Sequence, residues 1–499
     1  MSSYLLGFDV GSSSVKAALV DANTKEVIRS TFYPRTEMDM IARQTGWAEQ
    51  HPEVWWENLC HASKRLLAKA NISVNEIKSI GISYQMHGLV VIDANHGVLR
   101  PSIIWSDSRA VQIGDEALHS IGKEKCHEHL LNSPGNFTAS KLKWVLDNEP
   151  ELYTRIHKFL LPGDYIAMKM TGEVSTTVQG LSEAILWDFK EDKVADFVLN
   201  ELGISSSLVP EIVPSFGEQG KLTRQAATQL GLVEGIPLTY RSGDQPNNAM
   251  SLNAINPGEV AATGGTSGVV YAVVDKPVFD LKSRVNGFAH VNHCAAKPRV
   301  GMLLCINGAG SQYSWIKNQV ARDGTSYSDM ERMVAAVPVN SDGLRILPFG
   351  NGAERVLENK DIGSHVINLQ FNRHKRAHFY RAALEGIAFS FAYGMNILKE
   401  LGIPMEVIRV GDDNLFQSGV FSSTIASLMQ CEIEVMHTNG AIGAAQASGY
   451  GVGFYSCMEE ALGSNRKVNT YAPVNLNGEY KRAYETWKTD LIHLINSDN

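Results

Sequence analysis

No stretch of this chain approaches the roughly eighteen uninterrupted apolar residues of a membrane-spanning helix, so a membrane protein is excluded as the starting point. The opening Met1-Ser2-Ser3-Tyr4 also lacks the basic stretch and apolar core of a secretory leader. A cytoplasmic location with no membrane partner is the expectation. Cysteine is scarce: six residues, Cys60, Cys126, Cys294, Cys305, Cys431 and Cys457, fall without any Cys-x-x-Cys spacing. That excludes a disulfide framework and a zinc site, and the six are expected as reduced thiols. His290-Val291-Asn292-His293-Cys294 gathers candidate ligands, but its spacing fits a strand rather than a metal site. Basic residues are in the minority, 45 Lys and Arg against 53 Asp and Glu, a formal charge of -8. Clusters such as Asn372-Arg373-His374-Lys375-Arg376 are short, and nucleic acid is not an expected partner. The Gly-x-Gly-x-x-Gly fingerprint is missing too. Gly11-Ser12-Ser13-Ser14 runs into a strand rather than a helix, against a nicotinamide-dependent enzyme.

What the chain does have is length and a repeat. Its 499 residues exceed what one hydrophobic core usually serves, and 44% hydrophobic with 20% charged residues is an ordinary globular composition. At least two domains are expected. Gly11-Ser12-Ser13-Ser14-Val15-Lys16-Ala17-Ala18-Leu19-Val20-Asp21 aligns without gaps on Gly265-Thr266-Ser267-Gly268-Val269-Val270-Tyr271-Ala272-Val273-Val274-Asp275, with six of eleven positions identical. Each copy places glycine and small hydroxyl residues between apolar runs, the pattern of a hairpin whose tight turn exposes N–H groups and hydroxyls. Such a turn meets phosphate oxygens without bulky side chains to hold them off. A lone copy reads as an ordinary hairpin; two suggest similar halves gripping one nucleotide. Asp9, two residues before the first turn, is placed to hold Mg²⁺ or its waters.

Two strands around the first turn and a third over Glu26 to Phe32 predict an antiparallel meander. A helix begins at His51-Pro52-Glu53 and carries Val54, Trp55, Leu59, Leu66 and Leu67 at helical spacing; Trp47, Trp55 and Trp56 read as core anchors. An isoleucine-rich strand over 77–83 then ends at Tyr84-Gln85-Met86-His87-Gly88. Three strands, a helix and a strand form the order of a ribonuclease-H-like α/β unit. It returns with strands at 259–262, 269–274 and 299–306, a helix from Gln312, a helix over 378–401 and the strand Val407-Ile408-Arg409-Val410 ending at Gly411. A helix over 418–429 and a strand at 433–435 precede Gly440-Ala441-Ile442-Gly443-Ala444-Ala445-Gln446-Ala447, whose small residues suit close packing. The division expected is 1–241, 242–478 and a C-terminal helix over 479–499 that packs on either domain.

These residues resemble the FGGY family of carbohydrate kinases, in the sugar kinase, Hsp70 and actin superfamily, and within it most the xylulokinases. The resemblance runs from Asp9 to about Gly453. It is carried by Phe8-Asp9-Val10-Gly11, Gly46-Trp47-Ala48-Glu49-Gln50-His51-Pro52, Gln85-Met86-His87-Gly88, Trp105-Ser106-Asp107-Ser108-Arg109, Gly243-Asp244 and Gly264-Gly265-Thr266-Ser267-Gly268. It implies two ribonuclease-H-like, actin-like ATPase domains closing over a cleft. It further implies ATP-dependent phosphorylation of a small sugar, D-xylulose to D-xylulose 5-phosphate first. L-ribulose, L-fuculose, L-rhamnulose, gluconate or glycerol are the other acceptors, a non-catalytic sugar or nucleotide sensor is the alternative of a different class, and a homodimer is allowed.

By the resemblance, Asp244 is the general base and Asp9 helps hold Mg²⁺. Gly11, Ser12 and Ser13 meet the phosphates from one side, and Gly265, Thr266 and Ser267 from the other. Gly411 and Asn414 stand on the adenosine side; Met86, His87 and Gln245 join Asp244 on the sugar, with Asp107 and Arg109 as weaker candidates. From the residues alone, Asp244 in Tyr240-Arg241-Ser242-Gly243-Asp244-Gln245-Pro246 also reads as a cap for a helix begun at Pro246. Two departures stand out. Gln245 replaces the asparagine that usually follows the base, and Gly411-Asp412-Asp413-Asn414-Leu415-Phe416-Gln417-Ser418 replaces a glycine-rich run.

Overall fold

The computed structural model describes residues 2–463 and 466–497; the last two residues of the expected 479–499 helix lie outside them. Two compact units emerge. The first comprises Met1–Asn253, Gly287–Val300 and Thr438–Asn465, the second Ala254–Asn286, Gly301–His437 and Arg466–Asn499. The units are interleaved along the chain rather than consecutive, unlike a single cut near residue 241. Asp244 belongs to the first unit, as does the small-residue helix Gly440–Gly451.

The first unit is built on one mixed sheet. Leu238–Gly243, Ile77–Tyr84, Tyr4–Val10, Val15–Asp21 and Val27–Tyr33 lie side by side in that order. Tyr4–Val10 pairs antiparallel with Val15–Asp21, which pairs antiparallel with Val27–Tyr33, the expected meander. The other neighbours are parallel. Period-two alternation divides the central strands between two faces. Leu6, Phe8 and Val10, with Ile80 and Ile82, join the core beneath the helix Pro52–Ala70, which presents Trp55, Leu59 and Leu66. Val54 of that helix is exposed instead. Proline opens the helix, where its missing N–H costs no hydrogen bond.

The opposite face carries small residues. Leu5, Gly7 and Asp9 alternate along one strand, Ser79, Gly81 and Ser83 along its neighbour, and the helix Gly440–Gly451 lies against them. A Cβ on Gly7 would stand 1.9 Å from the Ala441 carbonyl oxygen, and one on Gly81 2.0 Å from that of Ala444. Backbone therefore approaches backbone, as the run of small residues predicts. The contact is locked by polar pairs: Ser79 Oγ and Ser448 Oγ are 2.8 Å apart, and Thr239 Oγ1 donates to the Ser448 carbonyl at 2.8 Å.

The second unit repeats this plan. Val300–Ile306, Gly268–Val274, Glu259–Gly264, Val407–Gly411, Glu432–His437 and Arg466–Tyr471 are successive neighbours. Glu259–Gly264 and Gly268–Val274 form the second antiparallel hairpin, and the strand at 407–411 runs parallel beside it. The long helix Arg376–Glu400 is buried along most of its middle, from Tyr380 to Leu398. The C-terminal helix packs in this unit: Trp487 is fully buried, and its Nε1 donates to the Ile346 carbonyl at 2.9 Å.

His290–Cys294 does not form the expected strand. The strand Asn286–Ala289 stops before it, and the segment turns back so that Cys294 and Lys297 pair across a short bridge. No cluster of three or more metal-ligating side chains occurs among the described residues, and none of their helices is long and apolar enough to cross a membrane. No disulfide joins any of the six cysteines.

Overpacking at the glycine contact tests this arrangement. Gly81→Val is expected to lower the unfolding free energy by about 1–3 kcal/mol or more, read as a shift in denaturant midpoint at unchanged slope.

Candidate functional site

The glycine-mediated contact brings a helix end onto a carboxylate. Asp9 shares its strand face with Leu5 and Gly7, and a Cβ on Gly440, the first residue of the 440–451 helix, would lie 2.7 Å from Asp9 Oδ2. The positive end of the helix dipole thus meets a negative charge. Ser83 Oγ donates to Asp9 Oδ1 at 2.9 Å, and Lys16 Nζ stands 3.7 Å from Oδ2.

Asp244 is the first residue of the helix Asp244–Ser251, with extended Gly243 as its N-cap. This corrects the capping expectation: the helix starts at Asp244, not Pro246, because helical backbone geometry begins directly after Gly243. The Asp244 carboxyl is pushed up to about 7, chiefly by burial and then by the Asp9 charge. Hydrogen bonds from Gln245 and the Lys16 charge oppose the shift. The helix is tied to Gly440 through Asn247, whose Nδ2 donates to the Gly440 carbonyl at 3.0 Å and whose Oδ1 accepts from the Tyr240 hydroxyl at 3.1 Å.

The first turn is closed by Gly11 N–H donating to the Ser14 carbonyl at 3.1 Å. The Ser13 carbonyl accepts from Met38 N–H at 3.0 Å, and the Ser12 carbonyl from Gln50 Nε2 at 2.8 Å. The turn's carbonyls are thereby engaged by the surrounding protein.

Met86 and His87 follow on the strand Ile77–Tyr84. Met86 is buried, and a Cβ on Gly243 would meet its Cγ at 2.6 Å, so it abuts the residue before Asp244. His87 has left-handed backbone (φ 63), a costly conformation for a bulky residue and one common at functional sites. Two buried groups brace it. Its Nδ1 lies 2.9 Å from the Glu183 carbonyl oxygen, and Lys141 Nζ donates to the His87 carbonyl at 2.9 Å and to that of Ile104 at 3.0 Å. Burial lowers the Lys141 ammonium to about 7. Burial likewise pushes Glu183 well above the ordinary carboxylate range, and the charges of Asp244 and Asp164 act in the same direction.

Asp107 and Arg109 do not present free groups to a ligand. Arg109 Nε and Nη2 bind the Asp107 carboxylate, Nη1 lies 2.8 Å from Glu49 Oε1, and the guanidinium sits 3.8 Å over Trp47. Asp107 Oδ2 in turn accepts from the Ala48 N–H at 2.6 Å. Trp47 is thus a lid on an ionic cluster rather than a core anchor, whereas Trp55 and Trp56 are buried as expected.

In the second unit, the repeated turn opens onto a cavity of about 900 Å³. Gly265 and Thr266 form part of its wall, with Tyr313 and Trp315 of the helix Ala309–Gln319, Tyr327 and Glu331 of the helix Tyr327–Ala335, and Asn414. The Gly265 and Thr266 carbonyls accept from the Gly310 and Ser311 amides at 3.1 and 2.9 Å. Ser267 and Gly411 are not on the wall. The departing 411–418 segment contains a short 3₁₀ turn, Leu415–Gln417, anchored by buried Phe416, 5.8 Å from the Phe391 ring and 5.0 Å from that of Phe421. Gly268 accommodates the same Phe391, since a Cβ there would lie 2.5 Å from the ring.

Lys141, Glu183, Tyr313, Trp315 and Glu331 escape sequence reasoning. Each sits in a short helix where charged and aromatic residues read as surface. Only the exposed Trp315, at 57%, carries a usable signal, as a large aromatic on a polar face.

The chain is similar to known proteins along most of its length. Residues 4–251 match the model of the FGGY family of carbohydrate kinases, N-terminal domain, and residues 260–452 that of the C-terminal domain. A xylulose kinase of Bacillus subtilis is 28% identical over 505 residues, covering 98% of this chain and 97% of the relative. The crystal structure of xylulose kinase from Rhodospirillum rubrum is similar with TM-score 0.88 at 24% identity, over 98% of this chain and 99% of the other. Plasmodium falciparum glycerol kinase with ADP reaches the same TM-score at 20% identity, over 99% and 98%. Both solved structures share the fold, an actin-like ATPase fold of two α/β domains.

The coupling of the two carboxylates has a measurable consequence. Asp9→Asn is expected to move the Asp244 carboxyl down from about 7 toward the ordinary range, as read by carboxyl-carbon NMR titration. Since the folded-state value lies above the unfolded one, Asp244 favours folding below about pH 4 and this contribution is lost as pH rises toward 7.

Proposed function

Because the chain belongs to the FGGY family of carbohydrate kinases, we propose that it transfers the γ-phosphoryl group of ATP to a hydroxyl of D-xylulose, giving D-xylulose 5-phosphate and ADP. The sugar-kinase activity follows from the family; the acceptor is inferred from relatives named xylulose kinase across nearly the whole chain. Fold likeness does not choose it, since a glycerol kinase superposes as well as a xylulose kinase.

The observation that carries the reading is Asp244, a carboxyl held near neutral pKa beside a second carboxylate. In this reading Asp244, ionised, accepts the proton of the sugar hydroxyl as its oxygen attacks the γ-phosphorus. The new O–P bond forms while the bond to the ADP oxygen breaks, and ADP leaves with the electron pair. Met86, His87 and Gln245 contact the sugar. The turn at Gly11, Ser12 and Ser13 meets transferring phosphate, and Gly265, Thr266 and Ser267 hold the nucleotide phosphates. The aromatic-walled cavity with Asn414 takes the base, and Gly411 ends the strand that leads to that loop. The oxygen donors of Asp9 suit a hard cation that is usually held by one or two carboxylates plus phosphates, so Asp9 would bind Mg²⁺, which when present neutralises phosphate charge. The same reading makes the protein cytoplasmic.

Two outcomes are expected. Asp244→Ala abolishes sugar-dependent ADP release while circular dichroism and nucleotide affinity stay at wild-type level; undiminished turnover would remove Asp244 from the mechanism. Wild-type kcat/KM falls about tenfold per pH unit below about 7, as the base takes up its proton, and levels off above. An acceptor panel spanning ketopentoses, gluconate and glycerol decides the sugar, and binding without turnover on any of them would identify a sensor.

A further inference from the structure

Gln50 is almost wholly buried, and one carboxamide serves three separate segments of the first unit. Its Nε2 donates to the Ser12 carbonyl at 2.8 Å and to the Asp39 carbonyl at 3.3 Å, while its Oε1 accepts from Trp55 Nε1 at 2.9 Å. Trp55 is fully buried in the helix Pro52–Ala70, which makes that end a fixed reference. The Asp39 segment is itself tied to the turn, because Met38 N–H donates to the Ser13 carbonyl at 3.0 Å. Gln50 thus joins core helix, flanking segment and turn through a geometry that needs both a donor and an acceptor on one planar group.

We propose that Gln50 is the positioning residue of the Gly11–Ser14 turn, orienting the Ser12–Ser13 peptide plane so that its amide faces the transferring phosphoryl group. Drawing the Ser12 carbonyl toward Gln50 turns the opposite side of the same turn outward, which is the side a phosphate needs. The inference rests on reading this turn as a phosphate site. Gln50 touches no reactant and acts through Ser12. Because transition-state charge is stabilised only by donors already in place, small rotations of the turn cost rate more than binding.

Two substitutions separate positioning from packing. Gln50→Glu preserves shape and the bond from Trp55, but when ionised has no hydrogen to give the Ser12 carbonyl. Gln50→Leu removes both functions at every pH. In steady-state assays with Mg·ATP and saturating sugar, Gln50→Glu should lose about tenfold or more in kcat at pH 8 with sugar KM unchanged. Its activity relative to wild type should recover as pH falls and the introduced carboxyl regains a proton, while that of Gln50→Leu stays low throughout. A flat ratio for Gln50→Glu across pH 5.5–8.5, or a wild-type kcat, would overturn the proposal, and Gln50→Glu alone decides should Gln50→Leu not fold. Gly11→Val tests the underlying reading by itself. If it leaves kcat intact, the turn is no phosphate site and the proposal falls with it; if it lowers kcat while Gln50→Glu is flat, only the role of Gln50 is rejected.

Discussion

The first unit depends on a close approach of two backbones. Gly7 and Gly81 leave no side chain between the central strands and the helix Gly440–Gly451, and any Cβ at either position would overlap a helix carbonyl. This contact sets the helix at a depth where Gly440, not a bulkier residue, can stand against the Asp9 carboxylate. From there the geometry propagates through Asn247 to the helix that begins with Asp244. One steric constraint therefore links a sheet, two helix ends and two carboxylates.

Those carboxylates are held in tension. The Asp9 side is relieved by Ser83, Lys16 and a helix N-terminus, whereas Asp244 lies in a drier environment that disfavours its ionised form. Raising a carboxyl from 3.8 to about 7 corresponds to roughly 4 kcal/mol against ionisation. A group poised in this way exchanges a proton readily at neutral pH, which a surface carboxylate does not. Holding Asp244 in this environment costs stability at neutral pH, where the unfolded chain would ionise it freely.

The two turns solve the same problem by different means. In the second unit, amides at the start of the helix Ala309–Gln319 take the turn's carbonyls. In the first, a side-chain amide and the backbone of residue 38 do so. The repeat was legible because glycine, hydroxyl residues and flanking apolar runs are local requirements of a hairpin turn. The braces were not: Gln50 and Lys141 act across 38 and 54 positions, and nothing near them in the chain marks the partner. The misplacements have the same origin. Asp107 and Arg109 look available as isolated charges, but folding spends them on each other and on Glu49. The start of the helix at Asp244 depends on the backbone angles of Gly243, which composition does not report.

By itself the sequence determined the duplicated hairpins, the three strands, helix and strand that open the first unit, and the small-residue helix, because periodicity, turn chemistry and side-chain size act over a few residues. Tertiary structure alone decided that the 440–451 helix returns to the first unit, that the C-terminal helix buries Trp487 in the second, and that Asp9 and Asp244 share one electrostatic environment. The physical reason is range: desolvation, charge coupling and close backbone packing are properties of neighbours in space, and these neighbours are distant in the chain.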